Sequence, residues 1–164
     1  MTLDRFRSAL LAFVIALAAI LGAWGFQLVG GYVPCKLCLE QRVPYYIALP
    51  IVLVGLFIPK RAAIVSRALF GVAAAIFLWG LALAVYHAGA EWALWPGPSD
   101  CGGGAATTTD AGGLLDQLAS TRVVSCTEAA GRFLGLSFAG WNALSLIVVI
   151  GLLTWATTRG SEER

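Results

Sequence analysis

Long runs without a single charge leave a chain few ways to fold. Residues 9–29, 43–58, 68–86 and 138–156 contain no Asp, Glu, Lys or Arg. At ~1.5 Å of rise per helical residue, about twenty such residues cross a hydrocarbon layer of ~30 Å. Backbone in lipid has no water to bond with, so each run is expected to satisfy its own hydrogen bonds as a helix. The run 43–58 is the shortest and contains Pro50. Its pairing with the third run across the turn Pro59-Lys60-Arg61 supports it as a span. The composition agrees: of 164 residues, 59% are hydrophobic and 12% charged, against about 25% charged in a soluble domain. A net charge of +2 with no basic cluster gives no sign of nucleic-acid binding. The expected fold class is an all-α membrane protein. It is a four-helix transmembrane bundle, one domain over 1–164, with polar loops at about 30–42 and 87–137.

The charges orient the spans. Arg5, Arg7, Lys60, Arg61, Arg67, Arg159 and Arg164 would lie on one side. Lys36, Arg42, Arg122 and Arg132 would lie on the other, mixed with Glu40, Glu91, Asp100, Asp110, Asp116 and Glu128. The positive-inside rule puts the first group, and both termini, in the cytoplasm. Both polar loops then face the outside. Most aromatic residues, Trp24, Tyr45, Tyr46, Tyr86, Trp95 and Trp141 among them, map near that outer interface. Arg5 and Arg7 ahead of an apolar run also fit a secretory leader. The run is longer than a leader's core of about 7–15 residues and no clear cleavage site closes it, so it reads as a retained span.

All four cysteines fall in the outward loops. Cys35 and Cys38 form a Cys-x-x-Cys pair before the second span, and Cys101 and Cys126 lie in the long loop. One close pair and one distant pair suggest two disulfides that exchange with each other, in the compartment where disulfides persist. Inert staples and a zinc site are the alternatives. Zinc prefers two knuckles, whereas Cys101 and Cys126 are far apart. A two-residue spacing closes a small ring typical of exchangeable pairs. A helix starting near Cys38 would set that sulfur at its N-terminus, where a thiolate is favoured. Arg42, one turn on, would share its face and stabilise negative charge there, unless it only snorkels to the interface. His87, the sole histidine, closes the third span at the depth of Arg42. The two would bracket a polar ring, a cation and a neutral donor around a quinone oxygen. In the long loop, Gly102, Gly103 and Gly104 free the backbone after Cys101, and Leu114, Leu115 and Leu118 recur at the spacing of a short amphipathic helix.

These pieces occur in a recognisable order. Pro34-Cys35-Lys36-Leu37-Cys38 with Gln41-Arg42, Tyr86-His87, Trp95-Pro96-Gly97-Pro98 before Cys101, and Phe133-Leu134-Gly135-Leu136-Ser137 leading to Trp141 resemble the disulfide bond formation protein B (DsbB) family. The resemblance covers nearly the whole chain. It implies an inner-membrane oxidoreductase that reoxidises a periplasmic, thioredoxin-like DsbA-type thiol oxidase and passes two electrons to a membrane quinone, ubiquinone or menaquinone. It further implies redox-active disulfides Cys35–Cys38 and Cys101–Cys126. The partner attacks Cys101, Cys126 attacks Cys35, and Cys38 leaves as a thiolate at the quinone, with Arg42 stabilising the charge. The rival readings are a membrane protein with two structural disulfides and a relay carrying reducing power outward. The second needs a cysteine reachable from the cytoplasm, which this topology does not offer.

Overall fold

In a computed structural model, residues 4–98, 126–127 and 129–158 are described. Helix α1 runs over Arg5–Leu28, α2 over Lys36–Glu40, α3 over Val43–Phe57, α4 over Ala63–Glu91 and α5 over Phe138–Thr158. A 3-10 turn at Lys60–Ala62 links α3 to α4. Four stretches are long and apolar enough to cross a membrane: Arg5–Leu28, Lys36–Phe57, Lys60–Glu91 and Phe138–Thr158. Helix α4 packs on α3 and α5, α5 on α1, and α1 on α3, which closes a ring of four.

Small residues set how closely the helices approach. Ala9, Ala12, Ala16, Ala48, Ala73 and Ala156 are buried at the contacts, around the fully enclosed Phe70, Phe77, Leu146 and Leu153. In lipid there is little hydrophobic gain from helix association, so close packing carries it. Gly55 makes the point: a Cβ there would stand 2.6 Å from the Phe70 ring. Large apolar side chains such as Phe57, Ile64 and Leu78 point outward, as a lipid-facing surface requires. At the end carrying the Lys60-Arg61 turn, Ser66 Oγ donates to Gly55 O at 2.9 Å and Arg67 Nε to Thr157 O at 2.7 Å. These bonds satisfy carbonyls that helix ends leave open.

The opposite end is built differently. The second span is broken: α2 ends at Gln41, and α3 starts after Arg42 with Pro44 in its first turn. A proline there lacks only a donor that the helix start does not need. Helix α4 runs on past His87 to Glu91, so His87 sits inside the helix and does not close it. Beyond α4, Trp95 folds back, donating from Nε1 to Tyr86 O at 2.8 Å and stacking on the Tyr86 ring. Gly89 makes room, since a Cβ there would overlap the Trp95 ring at 2.0 Å. A two-stranded hairpin, β1 (Arg132–Phe133) and β2 (Leu136–Ser137), precedes α5. Leu134 at φ 51° and Gly135 at φ 83° make its turn, matching the mirror-image turns that suit tight hairpins. Tyr45 is 3% exposed, with its ring 5.4 Å from that of Phe77. It packs inward at this end of the bundle, its hydroxyl donating to Asn142 Oδ1. The amphipathic helix expected around Leu114–Leu118, and Cys101 with Gly102–Gly104, lie outside the described residues.

Candidate functional site

Cys35, Cys38 and Cys126 gather at the head of α2, all as free thiols. The helix starts one turn earlier than the sequence suggests. Cys35, not Cys38, is its N-cap, and the Cys35 sulfur accepts from Cys38 N–H at 3.3 Å. The N–H groups of Lys36 and Leu37 point to the Cys126 sulfur, that of Cys38 to Cys35 Sγ, and that of Leu39 to Cys35 O. The helix terminus therefore serves Cys35 and Cys126, while Cys38 is the third residue of the first turn.

The loop reaches this point through a close contact. Gly97 lies against Thr127, where a Cβ would meet Thr127 Cγ2 at 2.7 Å. That contact pins the Pro96-Gly97-Pro98 stretch beside Cys126, which is 2% exposed. Cys126 is also within hydrogen-bonding reach of the Cys35 sulfur. Burial pushes its thiol above the usual range, with the two backbone N–H groups acting against that. Cys35 Sγ donates to Cys38 Sγ at 2.9 Å. That bond, with burial adding to it, holds the Cys35 thiol up to about 12. The proton of the reduced pair thus stays on Cys35, next to Cys126, and the sulfur that accepts it is Cys38.

His87 Nε2 is 3.6 Å from Cys35 Sγ and 3.7 Å from Glu91 Oε1. Its Nδ1 is 2.7 Å from Gln41 Nε2. Cys35, Cys38 and His87 hold their donor atoms within 4.8 Å of one another. Two thiolates on a tetrahedral zinc, with Zn–S ≈ 2.3 Å, stand roughly 3.7 Å apart. The two sulfurs here are 2.9 Å apart, closer than such a pair of ligands.

Arg42 does not point along the helix toward Cys38. The chain turns between α2 and α3, and the guanidinium crosses to α1. There NH1 donates to Gln27 Oε1 at 2.6 Å and NH2 to Ala23 O at 3.3 Å, with the group 5.2 Å above the Trp24 ring. At 8% exposure it is buried, not snorkelling.

What Cys38, Arg42 and His87 share is a cavity. A space of ≈ 330 Å³ opens between α1, α3 and α5, with all three on its wall. Ala18, Ala19, Gly22 and Ala23 line it from α1 and leave it room; Phe26 and Phe138 close one side, their rings 4.7 Å apart. Ligand sites commonly have this make-up, apolar walls with a few convergent polar groups. The residues fit a quinone head group: an apolar slot for a ring, with a guanidinium and a sulfur at its polar edge. Gln27, Gln41, Glu91 and Asn142 belong to this environment and were not singled out as site residues from sequence. The signal was present for Asn142, the only asparagine in the chain, set inside an uncharged run.

Fold and site together define a multi-pass membrane protein with a buried thiol centre at one end of its bundle. The family model for disulfide bond formation protein DsbB matches residues 5–156, and the chain belongs to that family. It is 31% identical over 159 residues to disulfide bond formation protein B of Saccharophagus degradans, covering 93% of each chain. It is 31% identical over 163 residues to the protein of that name from Methylococcus capsulatus, covering 94% of this chain and 97% of that one. A third, from Chromohalobacter salexigens, is 29% identical over 140 residues, 81% of each. No solved structure matches the chain at comparable significance. The protein is accordingly a disulfide-forming oxidoreductase of a membrane.

Proposed function

We propose that this protein oxidises a periplasmic DsbA-like thiol oxidase and hands the electrons to a quinone of the bacterial inner membrane. The single observation that carries the reading is the placement of three sulfurs in series. Cys126 packs on Cys35, Cys35 bonds to Cys38, and Cys38 lines the cavity. Exchange between thiols needs an attacking sulfur against a disulfide and a leaving sulfur that holds negative charge. Cys126 stands where it attacks Cys35, and Cys38 stands where it leaves. Cys101 pairs with Cys126 and meets the partner's thiolate. The single four-span domain keeps the cysteine end outside and both termini in the cytoplasm.

A bound quinone, ubiquinone or menaquinone, supplies the electron acceptor that a strongly oxidising partner, at about −120 mV for DsbA, requires. The protein's own part is to hold the Cys38 sulfur at the cavity wall, to place the Arg42 cation across from it, and to exclude water with Phe26 and Phe138. The test is turnover: purified protein with added quinone should oxidise a reduced thioredoxin-like partner. Rates unaffected by quinone in air-free buffer would reject the reading.

A further inference from the structure

Gln41 and Asn142 spend both ends of their amides in one chain of hydrogen bonds. Tyr45 O–H donates to Asn142 Oδ1 at 2.5 Å, Asn142 Nδ2 to Gln41 Oε1 at 2.7 Å, and Gln41 Nε2 meets His87 Nδ1 at 2.7 Å. Neither amide can turn alone, because a turn would set two N–H groups or two oxygens face to face. The chain has only two polarities, and it changes between them as a unit. Its far end selects one. His87 Nε2 faces Glu91 Oε1 at 3.7 Å and Cys35 Sγ at 3.6 Å. Glu91 is 4% exposed on its side chain, and its Oε2 has no hydrogen-bond partner among the described residues. With Glu91 as a carboxylate, a ring lone pair aimed at it would be repelled, which places the ring proton on Nε2.

We propose that Gln41, held by Asn142 and Tyr45, is a positioning residue that fixes His87 as its Nε2–H tautomer, so that the imidazole donates to Cys35 and the dithiol's proton is directed toward Cys38. The chain then runs one way from Tyr45 through Asn142, Gln41, His87 and Cys35 to Cys38, six groups each polarised by the one before. It ends on the one sulfur of the pair that lines the cavity. The proposal deepens the relay reading, and rests on it only for its consequence in turnover.

The single histidine makes the test direct. Reduced protein labelled with ring-¹⁵N histidine, carrying a tag without histidine, gives one pair of ring signals and needs neither quinone nor partner. The expected spectrum shows Nδ1 as a hydrogen-bonded acceptor and Nε2 protonated. Gln41→Glu, recorded well above the carboxylate range, removes the donor and supplies an acceptor, so a proton should appear on Nδ1. Asn142→Leu frees Gln41 to turn and should give both tautomers. A wild-type spectrum with Nδ1 protonated overturns the proposal whether or not either variant folds. Ring signals of folded Gln41→Glu identical to wild type also overturn it. Loss of quinone turnover with the expected wild-type spectrum would reject the relay alone and leave the tautomer assignment standing.

Discussion

The two ends of the bundle solve opposite problems. At the Lys60-Arg61 end, alanine and glycine let helices touch, and Gly55 against Phe70 leaves no space for even one more carbon. At the cysteine end the same helices part around ≈ 330 Å³ of cavity. Amides, an imidazole and a guanidinium hold the walls there. Packing in lipid is stabilised by contact area, so the tight end supplies rigidity. Buried polar groups are costly unless satisfied, so the open end is tolerable only because its network is almost completely paired. Small residues appear at both ends with different effects: on the tight end they admit a neighbour, and on α1 beside the cavity they leave room.

Substitutions separate the two ends, and those at the sulfurs should have the largest effect. Cys38→Ser should bring quinone-linked turnover to background while leaving exchange between the partner and the Cys101–Cys126 pair. Cys101→Ser should block oxidation of the partner while Cys35 and Cys38 are still oxidised by quinone. Full turnover in both variants would mean that the disulfides are staples.

The tight end comes next. Phe70→Ala should cost about 3–5 kcal/mol of unfolding free energy, and Gly55→Val about 1–3 kcal/mol by overpacking. Reversible denaturation in mixed micelles reads both. Wild-type alkylation rates at Cys38 in the folded variants would show that the ends are energetically separable; altered rates would show that they are coupled.

Much of this contrast was legible in the sequence, and some was not. The uncharged runs announce the spans because lipid permits so few backbones. The Cys-x-x-Cys pair, Arg42 and His87 stand out as polar groups in apolar company. The break at Gln41–Arg42 does not, because Pro44 is compatible with a helix start as well as with a kink. That break turns Arg42 away from Cys38 and onto Gln27, a contact across 15 positions that no local pattern encodes. Cysteine is an unusual cap, so the true start of α2 at Cys35 was also hidden. The place of Cys126 against Cys35 and Leu37 is again a long-range contact.

Smaller effects sharpen the open end. Arg42→Gln should raise the apparent KM for quinone by about tenfold, since a charge interaction at an effective dielectric of about 20 is worth a few kcal/mol before screening. Arg42→Lys should be milder yet still impaired, because lysine keeps the charge and loses the planar fork to Gln27 and Ala23. Steady-state rates at varied quinone measure both, and an unchanged KM in Arg42→Gln would reduce the residue to an anchor between α1 and α3. The smallest change concerns pH. With its thiol held up to about 12, Cys35 in the reduced protein should remain protonated from neutrality through pH 9. Mass-spectrometric mapping at limiting iodoacetamide should therefore find Cys38 modified first across that range. Equal labelling of both at pH 8 would contradict the hydrogen-bond direction between them.

Helix α1 contributes no sulfur and no proton to this chemistry, yet it holds the gauge. Gly22 is on the cavity wall, and a Cβ built on it meets nothing within 4 Å. A graded series there, alanine, valine, leucine, would fill the slot step by step without first colliding with protein. It would act as a set of calipers, each step excluding guests above a certain width. On the proposed function, the width of the ring that can reach Cys38 would thus be set from α1, at a position whose only property is having no side chain.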